Sequence, residues 1–258
     1  MPSRYSRRFG IEFEFVCSWD TLSWYATRAI NKVYGKGNYY SKQERFDSDF
    51  ELGKWHIKEE NVHISELTTP VSNLRDIPKI CEVIKILDNG KIKPQDDCGM
   101  HIHTDIHDID QYHIMSAWLL CERAIISCFP SSRRISGFCD KMLDSPMSSR
   151  SLVAKLLEDR TESSAHGDAI SLSQYEERKT VEVRLGEGTV DPDWIRTWVT
   201  FLMNWFSYFK KRNPSRLACE KCNSLSFEEL IEELKLDKKS QAIMEERYQK
   251  YHNKPYWT

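Results

Sequence analysis

The feature that most constrains this chain is strict alternation in three short stretches, each with packing groups on one parity and ionisable groups on the other. Cys98-Gly-Met-His-Ile-His-Thr-Asp105 sets His101 and His103 two residues apart between Met100, Ile102 and Thr104. Phe9-Gly-Ile-Glu-Phe-Glu-Phe15 does the same with Glu12 and Glu14, and Thr180-Val-Glu-Val-Arg-Leu185 with Glu182 and Arg184. Residues i and i+2 of an extended strand point to one face. Each stretch therefore predicts a strand that buries one side and presents paired ionisable groups on the other. A helix cannot satisfy this pattern, because its period of 3.6 would scatter the pairs.

The segments between the strands read as helices and turns. Leu22, Tyr25, Ala26, Ala29, Ile30 and Val33 recur at helical spacing, and Gly35 and Gly37 stop that helix. From Tyr39 to Pro70 the texture changes to short β-like pieces, at Tyr39-Tyr40, Phe50-Glu-Leu, Lys54 to Lys58 and Val62 to Thr69, which predict an antiparallel meander. In the last piece Glu66 shares a face with Val62 and Ile64, an uncomfortable place for a carboxylate unless something compensates it. Asn73 is a candidate cap for a helix carrying Leu74, Ile77, Ile80, Cys81, Ile84 and Leu87, with Asn89-Gly90 as its stop.

Further along, Tyr112 to Phe129 predicts a largely buried helix, residues 130 to 150 a polar loop, and Ser148 to Leu157 a short helix. Asp191-Pro-Asp opens a helix on which Trp194, Trp198, Phe201, Trp205 and Phe209 fall three or four residues apart, a stripe that reads as core packing. A capping box at Ser226-Phe-Glu-Glu229 starts a charged terminal helix. Strands interspersed with helices predict an α+β fold. The expected organisation is one domain over 1–213 and a helical, solvent-facing appendage over 214–258.

Composition narrows the function classes. Of 258 residues, 40% are hydrophobic and 12% aromatic, enough for a sizeable core, while a net charge of −2 gives no general grip on nucleic acid or an anionic membrane. Met1-Pro-Ser-Arg-Tyr-Ser-Arg-Arg8 is basic and runs into a strand rather than an apolar leader, and no run of 18 apolar residues is present. A cytoplasmic protein with no nucleic-acid or membrane partner is expected. The eight cysteines are scattered in mostly apolar segments, as reduced core thiols are, and Cys219-Glu-Lys-Cys222 lacks the second pair of a zinc finger.

Taken singly, each ionisable pair has a plain structural reading. Glu12 and Glu14 suit an amphipathic edge strand, His101 and His103 suit structural histidines, and Glu182 with Arg184 suits a cross-strand ion-pair ladder. Taken together they are harder to treat as incidental. Carboxylate-rich sites suit Mg²⁺ or Mn²⁺, and an arginine fork suits a transferring phosphoryl group. No Gly-x-x-x-x-Gly-Lys-Ser/Thr loop and no Gly-x-Gly-x-x-Gly occurs, so P-loop and Rossmann nucleotide binding have no support.

Six segments in order carry a resemblance: Phe9 to Phe15, Trp55-His-Ile-Lys58, Ile64-Ser-Glu-Leu-Thr-Thr-Pro70, Cys98 to Asp105, Ser132-Arg-Arg-Ile-Ser-Gly-Phe-Cys139 and Thr180-Val-Glu-Val-Arg-Leu-Gly-Glu-Gly-Thr189. The chain resembles the amidoligases of the glutamine synthetase-like carboxylate-amine ligase superfamily, which also includes the glutamate-cysteine ligases. The resemblance covers residues 7 to about 209. It implies a curved, mostly antiparallel sheet, like the glutamine synthetase catalytic domain, with ATP and Mg²⁺ or Mn²⁺ on the concave face and helices packed on the convex side.

By motif position it implies Glu12, Glu14, Glu66, His101 or His103, and Glu182 as metal ligands, only one of the two imidazoles touching metal. Arg184 would meet phosphate, Lys58, Arg133 and Arg134 would join it in binding cofactor or a substrate carboxylate, and Glu12, Glu182 and Arg184 would carry the chemistry. The implied reaction joins a small-molecule or peptide carboxylate to an amine through an acyl phosphate.

Two departures bear on substrate contacts more than on metal. Ile57-Lys-Glu-Glu-Asn-Val62 places Glu60 where the family pattern has Asp-Gly-Ser, and Ile170-Ser-Leu172 replaces Leu-Asn. The alternatives to a ligase are a phosphotransferase on the same scaffold, a metal-dependent hydrolase centred on His101, His103 and Asp105, and a non-catalytic binding module.

Overall fold

A computed structural model describes residues 7–41, 53–61, 63–88, 92–95, 98–134, 169–214, 217 and 224–253. The strand expected at Phe50, the helix expected from Ser148 to Leu157, the Asn89-Gly90 stop, and Cys139, Cys219 and Cys222 lie outside the described residues.

The fold is α+β. Among the described residues the strands are β1 (Phe9–Val16), β2 (Tyr39–Ser41), β3 (Trp55–Glu59), β4 (Ile64–Thr68), β5 (Gly99–Asp105), β6 (Ile170–Ser171) and β7 (Thr180–Glu187). The helices are α1 (Trp19–Tyr34), α2 (Ile77–Leu87), α3 (Gln111–Ile126), α4 (Ser131–Arg134), α5 (Tyr175–Arg178), α6 (Pro192–Phe209), α7 (Phe227–Leu234) and α8 (Lys238–Tyr251). The strands form an open sheet in the order β2-β3-β4-β1-β5-β7-β6. β3–β4, β4–β1 and β6–β7 pair antiparallel, whereas β2 pairs with β3 in parallel, so the meander expected from Tyr39 onward is only partly antiparallel. The chain divides into two compact units, Met1–His103 with Gly186–Val199, and Thr104–Leu185 with Thr200–Thr258.

In the first unit the alternation of β1 is realised residue by residue. Phe9, Ile11, Phe13 and Phe15 are buried, while the residues between them are partly exposed. The register places Phe13 opposite Leu67 and Leu67 opposite Ile57, which makes one apolar row across three strands. Helix α1 covers apolar groups of this unit with Leu22, Ala26, Ala29 and Ile30. Trp19 Nε1 donates to Ile57 O, and Tyr34 meets Trp55 edge to face at 5.9 Å. Truncating a side chain such as Phe13 to alanine costs about 3–5 kcal/mol at a site this well filled.

Ser18 caps α1 by accepting from Thr21 N, and Gly35, at φ +86°, ends it. Helix α2 starts differently from the sequence expectation. Asn73 precedes it in a turn, its Oδ1 accepting from Arg75 N, and Asp76 holds the N-cap position while its carboxylate accepts from Asn73 N. The two glycines at the end of β7 are required by close approach. A Cβ on Gly186 would collide with the carbonyl oxygen of Met100, and one on Gly188 would lie 2.6 Å from Cys98 Cβ.

The second unit is built on α3. Asp110 caps it, accepting from Tyr112 N and His113 N, and nearly its whole length is buried. Trp118 packs edge to face on Trp205 of α6, and Trp205 in turn meets Phe206 and Phe209. The aromatic stripe of α6 is core, as its spacing predicts, with Trp194 and Trp198 stacked in the first unit.

The terminal helices α7 and α8 pack into the second unit rather than project into solvent. Leu225 N donates to Leu120 O, Asn204 Nδ2 to Leu234 O, and Arg247 Nε to Cys128 O. The capping box at Ser226 and Glu229 forms as expected. No helix among the described residues is long and apolar enough to cross a membrane.

Candidate active site

The polar face of the first unit assembles from the register alone. β1–β4–β3 pairing puts Glu14, Glu66 and Lys58 in one cross-strand row and Glu12, Thr68 and His56 in the next. His101 and His103, alternate residues of β5, reach the same carboxylates. His101 Nδ1 lies 3.5 Å from Glu12 Oε2, His101 Nε2 lies 3.8 Å from Glu14 Oε1, and His103 Nε2 lies 3.1 Å from Glu12 Oε1.

Like charges directly opposite one another in a sheet destabilise it, and Glu14 stands opposite Glu66. The two carboxylates diverge. Glu66, only 3% exposed, turns to Lys58 Nζ at 3.0 Å and accepts from Thr68 Oγ1 at 2.7 Å. Glu14 turns toward β5, where its Oε2 accepts from Gly99 N at 2.5 Å. Glu60, at the family's acidic slot, stands 3.8 Å from Lys58.

The titration behaviour follows from crowding three carboxylates around one ammonium. Burial alone would raise Glu12, but the charges and hydrogen bonds of His103 and His101, with Lys58 behind them, hold its carboxyl well below the usual range. Glu66 goes the other way. Burial and the charge of Glu12 push it from 4.5 to about 8, more than Lys58 and Thr68 can offset. Lys58 is raised although burial opposes it, because Glu66, Glu12 and Glu60 all favour its ammonium form. A single lysine cannot neutralise both Glu12 and Glu66 in so dry a setting, so the rise at Glu66 is the direction that burial enforces.

In the second unit Arg184 Nη1 donates to Glu182 Oε1 at 2.5 Å, and Arg133 Nη2 donates to the carbonyl oxygen of Arg184 at 2.5 Å. β6 supports this strand through the pairs Ile170–Val183 and Ser171–Glu182. The Glu182–Arg184 pair runs along one strand, i to i+2. Arg133 and Arg134 sit in the short helix α4, both buried, where a polar loop was expected. Arg134 ties two carbonyls, its Nε donating to Phe129 O and its Nη2 to Tyr251 O, which gives it a structural connection to α8. Asp105 accepts from His107, ring Nδ1 and backbone N, in a local turn.

The first unit thus brings Glu12, Glu14, Glu66, His101, His103 and Lys58 onto one face. The second joins Glu182, Arg184 and Arg133 in a chain of contacts. Sequence reasoning overlooked His56 and Thr68, although each lies two residues from a nominated neighbour, Lys58 or Glu66, and the same alternation identifies both. It had no signal for the use of Gly99 N–H by Glu14, because that contact joins residues 85 apart.

The model of a protein family described as "putative amidoligase enzyme" matches residues 5–206. The chain belongs to this family. None of the curated proteins compared with it matches. The amidoligase match runs from β1 into α6 and so includes every nominated residue of both units.

Proposed function

We propose that this amidoligase-family protein is an ATP-dependent ligase that joins a carboxylate to an amine, using Mg²⁺ or Mn²⁺. The observation that carries the reading is one strand face that holds the part-exposed Glu12 and Glu14 and the buried Glu66, with Lys58 on Glu66 and with His101 and His103 on Glu12 and Glu14. The donor set fits a hard divalent cation, because it is rich in carboxylate oxygens and carries more formal negative charge than Lys58 balances. Glu66 has most to gain from a cation, since burial and the neighbouring charge of Glu12 push its carboxyl up to about 8. The cation would polarise phosphate oxygens and neutralise charge developing on them.

The residues of the chain supply the remainder. A carboxylate oxygen of the acid attacks the γ-phosphorus of ATP, and ADP departs with the electrons of the cleaved P–O bond. The amine nitrogen then attacks the acyl carbon, phosphate leaves and a proton is lost from nitrogen. In the first unit Lys58 offers an ammonium to phosphate oxygens, and His101 and His103 hold Glu12 ionised and oriented. Arg184, steadied by Glu182 and by Arg133 on its carbonyl, offers a guanidinium suited to a phosphoryl group. Glu182 is assigned to metal on its motif position. The acid and the amine are taken to be small molecules or peptides, and the compartment the cytoplasm.

The test is ADP and phosphate release from ATP with Mg²⁺ and a panel of acids and amines, followed by mass spectrometry for condensation with loss of water. ADP formation that requires both acid and amine, and that Glu12→Gln abolishes, supports the reading. No ADP release above background across the panel and cell extract, or turnover equal in Glu12→Gln, overturns it.

A further inference from the structure

The last two helices, α7 and α8, lie beyond the residues that the family model matches, and they enclose a groove of about 620 Å³ in the second unit. One wall comes from α7 and its C-cap, where Glu228, Ile231, Glu232 and Lys235 recur at helical spacing. The other comes from α8, where Gln241, Glu245 and Tyr248 do the same. Phe227 and Ile231, each 5% exposed, form the apolar part of the lining. The ring of Phe227 stacks on Tyr248 at 4.1 Å with 4° between the planes, and Tyr248 stacks in turn on His252 at 4.5 Å. This stack ties the two walls together, so the groove is formed before anything enters it.

Local helix physics does not account for the charges in it. Of the four glutamates of α7, Glu229 completes the capping box, and Glu228 suits the positive end of the helix dipole. Glu232 stands in the last turn, where the dipole favours a cation, and four residues from Glu228, where a like charge is unfavourable. Glu245 lines the same groove, and its partner is a neutral donor, Gln241 Nε2 at 2.7 Å. Among the described residues none of Glu228, Glu232 and Glu245 makes an ion pair, and Lys235 is the one cation that lines the groove. The phenol of Tyr248 is raised by burial and then by the charge of Glu228, which places that carboxylate's field on the aromatic wall.

We infer that the groove between α7 and α8 is a docking site for a basic peptide segment of a partner, in which two arginines or lysines on alternate residues of an extended strand meet Glu228 and Glu232. Charge and spacing together choose this occupant. Four residues of helix rise about 6 Å, and alternate residues of an extended strand lie about 6.6 Å apart, so the two pairs come into register. The aliphatic stems of the same side chains cover Phe227 and Ile231. An acidic segment is turned away by the excess of carboxylates. Docking here stands on the groove alone and holds whether or not the chain is a ligase.

The experiment is fluorescence anisotropy of labelled heptapeptides with the full chain, at about 20 and about 200 mM NaCl. The probes are Gly-Gly-Arg-Ala-Arg-Gly-Gly, the same peptide with its arginines adjacent, and its Glu-Ala-Glu counterpart. The first is expected to bind in the micromolar to submillimolar range, to shift the backbone amides of α7 and α8 in NMR spectra, and to weaken at the higher salt. The adjacent pair sends its side chains to opposite faces and binds at least about threefold more weakly. The triple variant Glu228→Gln, Glu232→Gln, Glu245→Gln weakens the first peptide by about tenfold or more, each exposed pair contributing up to about fivefold. Gln241→Trp fills the groove without changing its charge and weakens binding as well. All four substituted positions are exposed, so melting temperatures stay near that of wild type, and the salt dependence of wild type needs no variant.

No binding of the first peptide up to about 1 mM, equal affinity for the glutamate peptide, or equal affinity in the triple variant overturns the assignment. Equal affinity for the two arginine orders overturns the register with Glu228 and Glu232. Mg²⁺ alone moving the same amides while no peptide binds makes the groove a cation site and overturns peptide docking. Self-association of the wild-type chain that the triple variant abolishes gives the groove to a second copy and overturns it too.

Discussion

The most demanding consequence of the buried face is a stability that falls as pH rises through neutrality. Glu66 titrates near 8 in the folded chain and near 4.5 as an ordinary glutamate, because burial and the charge of Glu12 disfavour its ionised form. Between those values the folded state binds more protons at this site than the unfolded state does, so the stability of the metal-free protein declines with pH. The slope approaches about 1.4 kcal/mol per pH unit, and the whole window from 4.5 to 8 corresponds to on the order of 5 kcal/mol. Glu66→Gln mimics the protonated acid and keeps an oxygen to accept from Thr68 and Lys58.

Urea unfolding in chelator at pH 5.5, 7 and 8.5 measures the effect, with the difference between variant and wild type isolating Glu66 from other titrating groups. Glu66→Gln should be the more stable by about 1.4 kcal/mol at pH 5.5 and by several kcal/mol at pH 8.5. Saturating Mg²⁺ should flatten the decline in wild type, since a bound cation favours the ionised acid. A pH-independent difference, or a wild type that gains on Glu66→Gln as pH rises, refutes the reasoning.

Glu12 has the opposite sign. Its carboxyl is held below the ordinary range, so its contribution is present above about 4.5 and disappears as pH falls through its folded value. Acid unfolding of Glu12→Gln should therefore lack part of the steep loss that wild type shows below pH 4.5. Gly186→Ala forces a Cβ onto the carbonyl of Met100 and should cost about 3 kcal/mol in chemical denaturation, with loss of signal dispersion for β5. Arg134→Met leaves the carbonyls of Phe129 and Tyr251 without their guanidinium and should destabilise by about 2–3 kcal/mol. Hydrogen exchange should rise first in α8. Ser226→Ala removes half of the capping box and should cost about 1 kcal/mol by thermal denaturation.

Local periodicity read much of this molecule correctly, and its failures have physical causes. The strand Phe9–Val16, the helix after it, the buried α3 and the aromatic stripe of α6 all follow from which residues repeat at 2.0 or 3.6. The start of α2 did not, because the side chains of Asn73 and Asp76 are both spent on backbone N–H groups of the preceding turn, Asn73 on Arg75 N and Asp76 on Asn73 N. The parallel pairing of β2 with β3 did not, since pairing direction is set by where the chain returns and not by alternation. The C-terminal helices read as exposed because their charges are many. Leu230, Ile231 and Leu234 on one side of α7 are buried, and the hydrogen bond from Leu225 N to Leu120 O ties the segment to α3.

The sequence by itself determined which side chains can share a face, since alternation in a strand obeys local geometry, and Glu12, Glu14, Glu66, His101 and His103 were all nominated on that ground or by motif position. What only the tertiary structure decided is how those groups are partnered. Register across three strands sets Glu14 against Glu66, and distance in space then sends one carboxylate to a lysine and the other to a backbone amide 85 residues away. The charge state of Glu66 is decided at the same level, because a pKa is fixed by burial and by neighbours that lie far apart along the chain.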